Sequence, residues 1–216
     1  MDKKRYESIK KRDFNYNLEL YIFHLIINDN VKNATPEKFS TFKPENDLID
    51  DYRKACQMKS SESVRGRTIE QIDKEFDTWY DKRDLSNYQA LFYDVFNEKF
   101  KEKDFEAFIN KEKNQCHYCG IKESDIEELN KISKIKTKRF LTRGRSMEID
   151  RINPFGDYSE SNILLSCYWC NNAKTDEFSY FEFKKFIAPK IQEVWEIRLQ
   201  RKLYPPEMKD SNDKTK

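Results

Sequence analysis

The side chains with chemistry to offer are gathered between Cys116 and Lys174. Two Cys-x-x-Cys pairs, Cys116-His117-Tyr118-Cys119 and Cys167-Tyr168-Trp169-Cys170, bracket Asp150, a loop holding Pro154 and Gly156, and Asn162; Asn171, Asn172 and Lys174 follow the second pair. Thiolates at i and i+3 of a tight turn point at a common centre, so two such pairs can close one tetrahedral metal site. Gly120, directly after the first pair, permits the left-handed backbone that such turns need. Soft thiolates and no redox demand select Zn²⁺. With all four ligand positions filled by protein, the site is structural. Structural zinc contributes roughly 10–16 kcal/mol in small peptides. The fifth cysteine, Cys56, sits on an apolar helical stripe and is expected in the core.

These residues need a scaffold. Met147 to Ile152 reads as a strand ended by Pro154 and Gly156, and Asn162 to Leu165 as the returning strand. The second cysteine pair then opens a short helix through Lys174. Ser179-x-x-Glu182 is a capping box ahead of a helix over Phe181 to Ile187, which Pro189 breaks or kinks. Ile191, Val194, Trp195, Arg198 and Leu199 continue as a stripe. Upstream the chain reads as helical. Leu18, Tyr21, Ile22, Leu25 and Ile26 form one apolar stripe, and Leu48, Ile49, Tyr52, Ala55 and Cys56 a weaker one. Residues 59–66 read as an exposed connection. Thr68-x-x-Gln71 and Ser86-x-x-Gln89 open two more helices, a short one surrounds Phe105, Phe108 and Ile109, and Ser124-x-x-Glu127 starts another toward residue 134. The fold class is α+β and mostly helical. Residues 1–112 form a helical region, 113–204 a zinc-stapled module with trailing helices, and 205–216 a disordered tail.

The 216 residues carry 41 basic and 39 acidic side chains, a net charge of +2, so bulk charge singles out no partner. Apolar residues are only 37%, but 16 Phe, 12 Tyr and 3 Trp bury large areas each. No stretch resembles a membrane span or a signal peptide, so a soluble, cytoplasmic protein is expected. In that compartment the paired cysteines read as a metal site rather than disulfides. His24 lies beside a core stripe and reads as a packing residue.

As a combined pattern, residues 115–180 resemble the HNH (ββα-metal) nuclease family. Its members show a strand ending in Asp-His, a loop, an Asn, and then Cys-x-x-Cys-Asn-x-x-Lys opening a helix. Here the residues are Asp150-Arg151, Asn162 and Cys167-x-x-Cys170-Asn171-x-x-Lys174, with the upstream pair Cys116/Cys119 where zinc-stapled members carry theirs. The resemblance implies a metal-dependent endonuclease acting on DNA, of the kind found in restriction or phage-defence systems. It implies Asp150 and Asn171 as oxygen ligands of a catalytic Mg²⁺ or Mn²⁺, which suits hard donors, and Asn162 as the residue that fixes the loop. It also leaves room for a homodimer, and for a protein partner docked on the N-terminal helical region.

The departure is Arg151, where the family has a His general base. Arg keeps its proton at any usable pH and fits a phosphate clamp instead. Asp-Arg variants occur among restriction-type enzymes with a tyrosine proposed as activator; Tyr158, Tyr118 and His117 are the candidates here. Residues 131–145 hold seven basic side chains and no acidic one. They read either as a solvated face or, with Lys136, Lys138, Arg139, Arg143, Arg145 and the helical Lys174, as a track for DNA phosphates. The competing function is a non-catalytic zinc module that binds nucleic acid or protein.

Overall fold

Four consecutive residues of the first helix, Leu20, Tyr21, Ile22 and Phe23, are all buried, which places that helix at the centre of its unit rather than on its surface. The expectation of one apolar stripe is therefore too narrow: between Leu18 and Ile27 every face packs. The computed structural model describes residues 3–81, 85–98, 100–132 and 144–200. Among them the fold is α+β and mostly helical, with two antiparallel two-stranded sheets. The chain divides into two compact units, Met1–Glu102 with Phe155–Ser159, and Lys103–Pro154 with Glu160–Lys216.

In the first unit, α1 (Lys3–Ile27) is wrapped by α2 (Pro36–Thr41), α3 (Asn46–Gln57), α4 (Ile69–Asp81) and α5 (Leu85–Asp94). The core is aromatic. Phe14 meets Phe39, Tyr93 and Phe96 edge-on, with centroids 6.0, 5.0 and 5.6 Å away, a geometry that adds to simple burial. The connection over residues 59–66 is partly ordered as a hairpin, β1 (Ser63–Val64) and β2 (Arg67–Thr68). Its turn residues Arg65 and Gly66 both have positive φ, +48° and +83°, as two-residue hairpin turns require. The Thr68 capping box forms in both directions, Gln71 N to Thr68 Oγ1 at 3.2 Å and Thr68 N to Gln71 Oε1 at 3.0 Å. The box expected at Ser86 falls on side chains outside the described ones. Cys56 is exposed, not in the core: Leu48 is the one buried residue of α3, and the helix turns Cys56 toward solvent. Tyr16 Oη donates to the carbonyl of Phe155 at 2.9 Å, tying the inserted loop to α1, and Tyr158 in that loop is buried.

The second unit begins with α6 (Glu102–Glu112), which buries Phe105 and Phe108. α7 (Glu123–Lys131) starts one residue before Ser124, so Ser124 is not its cap; Asp125 Oδ2 accepts from Lys122 N at 3.2 Å instead. β3 (Glu148–Arg151) and β4 (Ile163–Ser166) pair antiparallel, with Asp150 opposite Leu164. α8 (Tyr168–Lys174) follows at once. The Ser179 box forms with Glu182 ahead of α9 (Tyr180–Glu182). Pro189 does not break the chain's helical path. A π-helical turn, Phe183–Ile187, precedes α10 (Ala188–Arg198), with Ala188 N bonded to Phe183 O. That wider turn leaves Pro189 in the first turn of α10, where a missing N–H costs nothing. Of the last stripe Trp195 is buried, but Val194 faces solvent. The tail from residue 205 and residues 133–143 of the basic run lie outside the described residues.

Ile22→Ala should lower stability by about 2–5 kcal/mol in urea unfolding, because a fully buried side chain leaves a cavity that the aromatic neighbours cannot close.

Candidate functional site

The four paired cysteines converge. Cys116, Cys119, Cys167 and Cys170 are each at most 1% exposed, and their sulfurs lie within 4.8 Å of one another. Cys119 Sγ and Cys167 Sγ are 3.7 Å apart, close to the edge of about 3.8 Å expected for a tetrahedron with Zn–S bonds of about 2.3 Å. The first knuckle is a tight turn with Gly120 N bonded to Cys116 O at 2.9 Å and Gly120 at φ +74°. His117 N bonds to Leu165 O at 2.8 Å, joining the knuckle to β4. Cys167 is the N-cap of α8, its sulfur accepting from Cys170 N at 3.4 Å. Hydrogen bonds from Cys119, Cys167 and Cys170 hold the Cys116 thiol far below its usual range. Cys167 and Cys170 are pushed up, first by their bonds to Cys116. The Cys116 thiolate is favoured, Cys167 and Cys170 resist ionising unless a cation joins them, and four thiolates around one centre fit Zn²⁺.

Neighbours of the four-sulfur cluster reach the second group of residues. Side chains alternate across a strand, so Glu148 and Asp150 share one face of β3 while Ile149 is buried on the other. Asp150 Oδ2 accepts from Tyr118 Oη at 2.6 Å and pairs with Lys174 Nζ at 3.3 Å. Lys174 also donates to Arg151 O at 3.0 Å. Asn171, at the fourth position of α8, donates from Nδ2 to Glu148 Oε2 at 2.7 Å. Asp150 Oδ1 and Asn171 Oδ1 accept no hydrogen bond among the described residues. Asn162 exchanges two bonds with the Asn153 backbone, Asn153 N to Oδ1 at 2.9 Å and Nδ2 to Asn153 O at 3.1 Å. Both ends of its amide thus help close the base of the loop.

Lys174, expected as a DNA contact, faces the protein interior. Its side chain is 1% exposed, because α8 turns it inward onto β3, where Arg151 O and Asp150 satisfy it. Arg145 is described, and exposed; Lys136, Lys138, Arg139 and Arg143 lie outside the described residues. Tyr118 is buried, and its hydroxyl is raised well above the usual range by that burial and then by its bond to Asp150. Here it is a hydrogen-bond donor to Asp150. His117 is half-buried, with Nε2 2.8 Å from Tyr180 Oη; burial, then nearby Lys184, lowers its pKa. Lys184 donates to the carbonyls of His117 and, at 3.2 Å, Tyr118.

Sequence reasoning missed Glu148, Tyr180 and Lys184. Glu148 was findable, since it lies two residues before Asp150 on a strand. Tyr180 and Lys184 follow a recognised capping box, but nothing in their spacing names the knuckle as their target.

No protein-family model matches the chain, and no curated protein matches it. Among solved structures the chain is similar to that of PacI, described as a rare-cutting HNH restriction endonuclease. Identity is 24% over 65% of this chain and 91% of that one, with a TM-score of 0.40. In motif order, residues 115–180 resemble the zinc-stapled HNH (ββα-metal) nucleases.

Purified protein should carry one zinc per chain by elemental analysis, and Cys170→Ser should lose both the zinc and the cooperative melting of the second unit. Lys174→Met should cost about 3 kcal/mol, as loss of one partner of a buried ion pair does. It should not change the salt dependence of any DNA binding, which a phosphate contact would.

Proposed function

We propose that the protein is a metal-dependent endonuclease that hydrolyses phosphodiester bonds in DNA, with Asp150 and Asn171 as the protein ligands of a catalytic Mg²⁺ or Mn²⁺. The observation that carries this reading is the Asn171–Glu148 bond. It ties Asn171 to the strand face that bears Asp150, with one oxygen of each side chain lacking a donor among the described residues. A carboxylate and an amide oxygen are hard donors of the type these ions take. When bound, the cation would offset charge on the scissile phosphate and on the leaving 3′ oxygen.

The chain's own residues divide the remaining work. Lys174 and Tyr118 both hold Oδ2 of Asp150, which fixes the carboxylate and leaves Oδ1 for the ion. Asn162 fixes the loop between the strands. Arg151 stays protonated and suits a phosphate rather than a water. Tyr118 stays protonated too, so it orients Asp150 and does not activate water. His117, its Nε2 bonded to Tyr180 and its pKa lowered, is the candidate with the right chemistry for accepting a proton. The basic side chains around Arg145 would supply sequence-independent affinity for the phosphate backbone.

The alternative, a non-catalytic zinc module that binds nucleic acid, is favoured by one residue, Arg151, which stands where a base is expected. Plasmid nicking separates the two. Zinc-loaded protein with Mn²⁺ or Mg²⁺ should nick supercoiled DNA, and Asp150→Ala and Asn171→Ala should each lower the rate at least about a hundredfold with zinc content unchanged. Binding without cutting under either ion, or equal cutting by both variants, would favour the alternative. Tyr118→Phe should slow nicking only about tenfold, as loss of a ligand-orienting bond does, whereas loss of a base would abolish it.

A further inference from the structure

We infer that Glu148 is a positioning residue for the cation site: it decides which end of the Asn171 amide faces the ion. The inference rests on the endonuclease reading of Asp150 and Asn171. An Asn side chain has a donor end and an acceptor end of nearly equal size, so shape alone does not orient it. A carboxylate can only accept. Glu148 Oε2 therefore selects Nδ2, which it receives at 2.7 Å, and turns Oδ1 the other way. With the amide reversed, Asn171 would present N–H groups to a cation and could not ligate it.

The placement of Glu148 is not incidental to the strand. It pairs with Ser166, the residue before the sulfur ligand Cys167. Asn171 follows the ligand Cys170. Asn171 is thus one residue from the four-sulfur cluster, and Glu148 is paired across the sheet with a residue one position from it, along a different segment. Glu148 also lies two residues from Asp150 on the same strand face, so one short strand supplies both a candidate ligand and the group that orients the other.

The test is Mn²⁺ affinity of the zinc-loaded full chain, by calorimetry and by the Mn²⁺ spin-resonance signal, with nicking measured in parallel. Glu148→Ala should weaken Mn²⁺ binding about tenfold, as loss of a bond that orients a ligand does. The exchanged pair, Glu148→Gln with Asn171→Asp, restores a donor facing an acceptor with the direction reversed and the pair's charge conserved. It should recover most of that loss, a coupling that two unrelated changes would not show. Wild-type Mn²⁺ affinity in Glu148→Ala, with Asn171→Ala weakened, would overturn the positioning role and leave the endonuclease reading standing. An exchanged pair no better than the sum of its single changes would also overturn it. Wild-type affinity in Asn171→Ala would remove the ligand itself, and both readings with it. Melting temperature and zinc content are read on every variant; if Glu148→Ala does not fold, Glu148→Gln and the exchanged pair decide.

Discussion

Convergence of four buried sulfurs is the constraint on which the rest of the second unit depends. Its sheet is two strands of four residues, and an isolated hairpin of that size is marginal in water. The cluster supplies what the hairpin lacks. Cys167 ends β4 and caps α8, so the same sulfur fixes the strand's end and the helix's start. Cys170, one turn on, fixes the helix's rotation. Asn171 and Lys174 then fall on the β3 side of α8. From the other pair, Tyr118 stands between Cys116 and Cys119 and reaches Asp150 at 2.6 Å. Every described side chain that hydrogen-bonds or ion-pairs with the side chain of Asp150 or Asn171 is thus carried by a knuckle, by the helix it caps, or by the paired strand.

Charge gives the same site its chemistry. Two carboxylates, Glu148 and Asp150, share a strand face, and one buried ammonium, Lys174, meets one of them. Like charges on one face repel, and the hydrogen bonds from Tyr118 and Asn171 spread that charge. The proposed divalent cation between Asp150 and Asn171 would lower that repulsion further. A buried lysine that bonds a backbone carbonyl and the carboxylate together also ties the end of β3 to α8, so the element that carries the candidate ligand is held at both ends.

Much of this was legible in the chain, and for physical reasons. Cysteine spacing encodes local turn geometry, so the pairing of Cys116/Cys119 with Cys167/Cys170 followed from short-range rules. The strand ending near Arg151, the returning strand and the helix through Lys174 carried their own start and stop signals. The direction of a side chain on a short helix was not legible. Lys174 looks from sequence like a surface cation, and only the packing of α8 on β3 turns it inward. Cys56 failed the other way: its periodic neighbours suggested a core position, but one turn of helix places it in solvent. Leu20 and Phe23 of α1 lay off the recognised stripe, because burial on all faces depends on how many helices surround the first, which no single segment records.

The central claim is that Asp150 and Asn171 share one hard cation, and it is tested most directly by locating that cation. A crystal of the zinc-loaded protein soaked in Mn²⁺ should show, beside the zinc peak among the four sulfurs, a second anomalous peak about 2.0–2.2 Å from Asp150 Oδ1 and Asn171 Oδ1. A peak elsewhere, or none at saturating Mn²⁺ with the zinc in place, would contradict the account.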